Sequence, residues 1–218
     1  STLRVEGSIF GSGTLTVDNG FTNNGTIELT NSSLNQAAAL IVTCGALTNA
    51  AGRIITISAG STGGSRTIGA QINNQGTINI NQPLTISKAS AAHTNSGTIN
   101  VNENLTLSQS GTSPSFTNTG TMAIASGKTL DVNSGTFNYN TGGSFTGTGG
   151  TLDFSSVTLT LNVSLSNVSH DILLTGGTVN GPQTLTNAAG KTLTLSSSVT
   201  VNAPLDNAGT LVVKGSNT

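Results

Sequence analysis

Charged residues are almost missing from this chain: they make up 7% of its 218 residues, aromatics make up 3%, and tryptophan is absent. Seven cations stand one at a time (Arg4, Arg53, Arg66, Lys88, Lys128, Lys191, Lys214) against eight acids, for a formal charge of −1. They form no patch, which excludes an electrostatic grip on nucleic acid or anionic lipid. A single cysteine, Cys44, excludes an intrachain disulfide and leaves the redox compartment unread. With no cationic neighbour in sequence to lower its pKa, Cys44 is expected as a buried small residue. The longest apolar run, AAALIVTC at 37–44, is far shorter than the ~20 residues of a membrane span. No signal peptide is visible, and a chain running from Ser1 to GSNT reads as a processed or excised segment of a longer protein.

What the chain does contain is Val, Ile and Thr in alternation, which argues against disorder. A motif recurs: FTNNGTIEL (21–29), INNQGTINI (72–80), HTNSGTINV (93–101) and FTNTGTMAI (116–124). Taking its Asn as marker gives Asn23, Asn49, Asn74, Asn95 and Asn118, then Gly147 in FTGTGGTLDF, then Asn167, Asn187 and Asn207. Successive spacings of 26, 25, 21, 23, 29, 20, 20 and 20 average 23 residues. Two residues before each marker stand Phe21, Leu47, Ile72, His93, Phe116, Phe145, Leu165, Leu185 and Leu205, a core-facing column broken only by His93. After the glycine comes T-I-x-I or its equivalent, as in Ile27/Leu29 and Ile78/Ile80. Period two marks a strand with one buried face.

A unit of two short strands cannot bury its own apolar face, so the copies must stack. The expected fold is an all-β parallel β-helix, or β-solenoid, of about nine coils. Residues 21–218 form the solenoid and residues 1–20 an irregular first turn or junction. A β-sandwich predicts no single register shared by nine segments. At each corner the chain bends and leaves backbone groups without ladder partners. An Asn amide can satisfy them and its neighbour one coil on. Asn23, Asn49, Asn74, Asn95, Asn118, Asn167, Asn187 and Asn207 are therefore expected to form an internal amide ladder, interrupted at Gly147. The following glycine is expected to supply positive φ.

Repeats of the form L-x-N-x-G-T-[IL]-x-[IL] resemble those of bacterial surface and secreted proteins with β-helical stalks, such as autotransporter passengers and filamentous-haemagglutinin-like adhesins. The resemblance covers residues 21–213. It implies an extracellular or cell-surface stalk, filament or adhesin segment, and carries over no catalytic residue.

The chemistry-bearing residues are few. TLDV (129–132) and TLDF (151–154) place Asp131 and Asp153 22 residues apart. Stacked, they would suit acid–base work or Ca²⁺. The marker register instead assigns them to different strands of their coils, as two solvated outward residues. Asp153 then falls in a mixed outer column with Glu28, Thr56, Asn79, Asn100, Ala123, Thr194 and Val212. His93 reads as a neutral, hydrogen-bonded core histidine tipped partly to solvent, and His170-Asp171 as a surface corner. Asn24, Asn31, Asn104, Asn162 and Asn167 head N-x-S/T triplets, at the frequency so Ser/Thr-rich a chain provides. Ice binding would need Thr-x-Thr in consecutive coils, and TLT at 14–16, 158–160 and 192–194 does not supply it. No catalytic, cofactor-binding or metal-ligating set is assigned.

The functional expectation is a non-enzymatic structural rod, a stalk or filament subunit that joins end to end with itself. The alternative is an adhesin that binds glycan or a host protein through loops on one side, at 58–71, 87–93 and 108–115. A polysaccharide-degrading β-helix enzyme or an ice-binding protein is less favoured.

Overall fold

The computed structural model describes residues 1–61 and 63–215, so the last three residues of the expected solenoid lie outside the described residues. Among the described residues every regular element is a strand and all named strand pairs are parallel, in continuous register except for shifts between Asn19 and Phe21 and between Ile41 and Ala46. The chain is a parallel β-solenoid of about ten turns with a period of about 22 residues.

Each coil has three sides. Side I is a seven-stranded sheet: Thr2–Gly7, Thr26–Asn31, Ile54–Ile57, Thr77–Ile80, Thr98–Val101, Thr121–Ile124 and Ser144–Thr146. Sides II and III are two runs of one sixteen-stranded sheet, joined through the long strands Gly13–Asn23, Ala38–Asn49 and Arg66–Asn74, which turn the II–III corner without interruption. Beyond them side II continues from Leu84–Ser87 to Thr210–Lys214, and side III from Ala92–Asn95 to Thr200–Val201. In the last coils a separate three-stranded sheet, Leu165–Ser166, Leu185–Asn187 and Leu205–Asn207, takes the place of side I. At ~4.8 Å between coils, ten coils make a rod a little under ~50 Å long.

Alternation decides the interior. In Thr77–Ile80 and Thr121–Ile124 the second and fourth residues are buried and the others half-exposed. One continuous apolar core runs from Val5 to Ala203. Each fully buried Leu, Ile or Phe contributes about 1.5–3 kcal/mol of transfer free energy, available only because the next coil covers it.

Several expectations about register are corrected here. Residues 1–20 hold Thr2–Gly7, paired with Thr26–Asn31, and most of Gly13–Asn23, paired with Ala38–Asn49, so coil pairing already begins at Thr2, with an irregularity in register between Asn19 and Phe21. The marker frame also fails after Asn118. The partner of Asn118 is Tyr139, and that of Tyr139 is Leu161. The core column therefore runs Phe116, Phe137, Leu159, Val179, Val201, through two coils that carry no marker Asn. Phe145 pairs instead with Met122, on side I. The 29-residue gap to Gly147 was a change of side, not a long coil.

The glycine two places after the marker also has a different cause. Gly76, Gly97 and Gly120 are not among the positive-φ residues. A Cβ on Gly120 would overlap Gly97 O, and one on Gly97 would overlap Gly76 O. The corner needs glycine because successive coils approach too closely for a side chain. Gly52 and Gly190, three places after their markers, do have positive φ (73° and 74°).

Candidate functional site

The chemistry-bearing side chains fall into three groups: the corner amides, an acidic pair on side II, and isolated buried polar residues.

The amides form two ladders. At the III–I corner, Asn23 Nδ2 donates to Asn49 Oδ1 (2.9 Å), Asn49 to Asn74 (2.8 Å), Asn74 to Asn95 (2.7 Å) and Asn95 to Asn118 (2.8 Å). The same amides also donate to backbone carbonyls at the start of the next strand, as Asn74 does to Thr98 O (3.1 Å). A little over two turns of the rod later the arrangement resumes at the next corner. Asn167 Nδ2 donates to Asn187 Oδ1 (2.7 Å), and Asn187 to Asn207 (2.6 Å), where the replacement sheet meets side II. Gly147 stands below Asn167 at this second corner, three residues before Gly150, which pairs with His170, so that column opens with a residue that has no amide to offer. Asn118 ends the first ladder, with its Nδ2 buried and unpartnered.

Asp131 and Asp153 are direct register partners on adjacent strands, within Thr129↔Thr151 and Val132↔Phe154. The expectation that they lie on different sides is wrong, and so is the mixed column built on it. Glu28, Thr56, Asn79, Asn100 and Ala123 lie on side I, whereas Asp153, Thr194 and Val212 lie on side II. Asp131 Oδ2 accepts from Asn133 Nδ2 (3.0 Å) and Thr106 Oγ1 (3.4 Å), and Asp153 Oδ1 from Ser155 Oγ (3.3 Å). Partial burial, then the neighbouring Asp131 charge, holds the Asp153 carboxyl above the usual range. Among the described residues no group of three or more His, Cys, Asp or Glu is placed to hold a metal ion. No pocket is formed among the described residues.

Both histidines are buried: His93 is the neutral, hydrogen-bonded core residue expected but is not tipped to solvent, and His170 is not at the surface. His93 is 2% exposed, and its Nδ1 accepts the Ile72 N–H (3.1 Å). Burial depresses its pKa to about 4, so it is neutral at pH 7, and its ring extends the Phe116–Phe137 stack. His170, expected at a surface corner, opens the strand His170–Thr175, and its Nε2–H donates to Thr146 O (3.2 Å).

Arg66 is a buried polar residue that the sequence did not single out. It is 1% exposed, with Nη2 donating to Asn31 Oδ1 (2.9 Å) and Ala59 O (3.2 Å), and Nη1 to Gln36 O and Gly64 O (both 3.3 Å). It pins the two longest I–II turns together with no carboxylate nearby, and burial lowers its pKa. Cys44 is exposed rather than buried, because it lies in the irregular register between Ile41 and Ala46. Lys88 Nζ closes that irregularity by donating to Thr43 O (2.7 Å) and Val42 O (3.0 Å).

The loops expected on one side emerge at two corners. The turn before Arg66–Asn74 is at the I–II corner, whereas those before Ala92–Asn95 and Ser115–Asn118 are at the II–III corner. Three exposed apolar side chains also mark the I–II corner: Ile9 and Phe10 at the tip of the Ser8–Gly11 turn, and Leu34 on the next coil. Ser12 Oγ links those turns, donating to Gln36 Oε1 (3.3 Å).

No protein-family model matches the chain, and no significant match is found among curated proteins or solved structures.

Proposed function

We propose that this chain is a non-enzymatic rod element of a cell-surface or extracellular protein, a β-solenoid stalk or filament segment that is lengthened by adding coils at its ends. The observation that carries this reading is where the polar side chains are used. The corner amides are spent on coil-to-coil ladders and buried there (Asn49, Asn74, Asn95, Asn118 and Asn187 all 0% exposed). They satisfy the corners of a continuous parallel sheet.

The end coils support extension. The outer edges of Leu205–Asn207 and Thr210–Lys214 pair with nothing among the described residues, leaving core-column Leu205 (40% exposed) and Val213 (69%) uncovered. An unpaired edge beside an uncovered apolar column is a template for a further strand. End-to-end association of copies is the form of this reading that electron microscopy and sedimentation velocity test directly. Fibres whose axial repeat matches one rod length support it. A monodisperse monomer at high concentration removes self-assembly and leaves the stalk. Surface location is tested by protease shaving of intact source cells.

A second reading, adhesion through one edge of the rod, rests on Ile9, Phe10 and Leu34, which stand exposed on neighbouring turns beside the Arg66-pinned loop. Exposed apolar clusters mark contact surfaces. Retention on a glycan array or host-cell surface that is lost in the Ile9→Ser/Phe10→Ser variant would favour it. Retention unchanged in that variant would place the contact elsewhere.

A further inference from the structure

The geometry points to a built-in hinge at coil seven, between Tyr139 and Gly149, where the rod bends by opening one of its three sides while the other two stay paired.

Four independent features meet there. Backbone pairing on side I stops: Ser144–Thr146 is the last strand of the seven-stranded sheet, Leu165–Ser166 the first of the next, and they are not bridged to each other. The first amide ladder ends at the same level, with Asn118 Nδ2 buried and unpartnered beneath Tyr139. The second begins at Asn167, one corner further round. The chain between is glycine-rich, and Gly142, Gly147 and Gly149 take φ of 91°, 96° and 74°. Finally, the core at this level is aromatic rather than aliphatic. Phe137 lies 5.4 Å from Phe154 and 6.1 Å from Phe145, and Tyr139 lies 4.9 Å from Phe145, measured between ring centroids.

Sides II and III run through the same level without a break. Thr129–Asn133 pairs with Gly150–Ser155 and that with His170–Thr175, while Thr136–Tyr139 pairs with Thr158–Leu161. Among the described residues, the hydrogen bonds from this segment to the coil above gather at its two ends: Asn162 N–H to Tyr139 O (2.9 Å) and Asn162 Nδ2 to Asn140 Oδ1 (2.7 Å) at one corner, and His170 Nε2–H to Thr146 O (3.2 Å) and Gly149 N–H to Ser169 O (2.8 Å) at the other. Local opening free energy follows the density of buried contacts and backbone pairs, so side I is the first to open. For a stalk this places compliance at one fixed level and leaves two stiff bodies on either side.

Hydrogen exchange of the whole chain at neutral pH, followed by mass spectrometry, tests this. The hinge predicts that amides at 144–148 and 163–166 exchange at least about tenfold faster than those in Thr98–Val101 and Leu185–Asn187. Amides in Leu152–Phe154 and Leu159–Leu161, at the same level on the other two sides, should stay as protected as their neighbours. Uniform protection along side I would overturn the hinge. So would equally fast exchange on all three sides, which would mean that the whole coil melts. A second measurement closes the seam in a Cys44→Ser background, by oxidising a Thr146→Cys/Ser166→Cys pair. The disulfide should form readily and slow exchange at 144–148 to the rate of the adjacent strands. Exchange left fast by a formed disulfide would also refute the hinge.

Discussion

Deleting one rung of the long amide ladder gives the sharpest test of how the rod is held together. Asn74 is fully buried, accepts from Asn49 Nδ2 at 2.8 Å, and donates to Asn95 Oδ1 at 2.7 Å and Thr98 O at 3.1 Å. In Asn74→Ala, Asn95 Oδ1 loses its only side-chain donor from below, and Asn49 Nδ2 keeps just its backbone acceptors, Arg53 O and Thr77 O. A buried polar group left unsatisfied costs about 1–3 kcal/mol. With one acceptor stranded outright, two groups weakened and a small void added, the loss should be about 3–5 kcal/mol. The control is Asn202→Ala, which removes an exposed amide pair of the same length (Asn202 Nδ2 to Asn180 Oδ1, 2.8 Å). An exposed rung exchanges its partner for water, so that variant should stay within about 0.5 kcal/mol of the parent. Urea unfolding followed by far-ultraviolet circular dichroism measures both, provided the slope of free energy on urea is unchanged, since a shallower slope would mean that the halves of the rod unfold separately. Asn74→Asp adds a check on polarity. A carboxylate there still accepts from Asn49 but faces Asn95 Oδ1, so this variant should be worse than alanine at pH 7 and recover in part on acidification. If Asn74→Ala costs no more than Asn202→Ala, the ladder is ornamental and the account of the corners is wrong.

Three further outcomes follow from the same geometry. Asp153 has its carboxyl pKa raised by burial and by Asp131, so the folded state binds its proton more tightly than the unfolded state and the ionised pair is a liability at neutral pH. Asp153→Asn should therefore raise the melting temperature at pH 7, with the gain shrinking as pH falls through the raised value towards 3.8; an equal gain at pH 3 would refute the cause. His93 has its pKa lowered from 6.5 to about 4 by burial, so the stability it protects is complete above 6.5 and is lost as pH drops towards about 4. His93→Phe should flatten that part of the stability–pH curve while lowering overall stability, because the buried Ile72 N–H loses its acceptor. Cys44 should react with a disulfide reagent in the native rod at a rate within a few-fold of the urea-unfolded chain, since it is exposed at an irregularity in its strand; protection by orders of magnitude would show that this corner is packed.

The Asn-x-Gly-Thr motif told where coils repeat, and a coil without it was invisible. Residues 134–142, SGTFNYNTG, form a complete side III strand with Phe137 in the core column. Tyr139 stands in the ladder position, so counting from Asn to Asn stepped over that coil and landed on Gly147. The tetrapeptides TLDV and TLDF were the better guide, because side II keeps its register while the ladder changes corner. Arg66 gave no signal, since a lone arginine beside a glycine-rich turn reads as solvated until two loops close over it. Cys44 was misread because AAALIVTC alternates like a buried strand up to the residue where the pairing slips.

Strand type, the inward face of nearly every strand and the parallel stacking were determined by sequence alone, because each depends on residues two apart or on a repeat of fixed content. Which side of the rod a strand occupies was decided only by the tertiary structure. Three sides with equivalent two-residue alternation present locally identical strands, and nothing within four residues distinguishes one from another. The choice is made by coil-to-coil hydrogen bonding, which carries register upward from the coil below. For that reason two aspartates 22 residues apart became neighbours, and one ladder of amides became two.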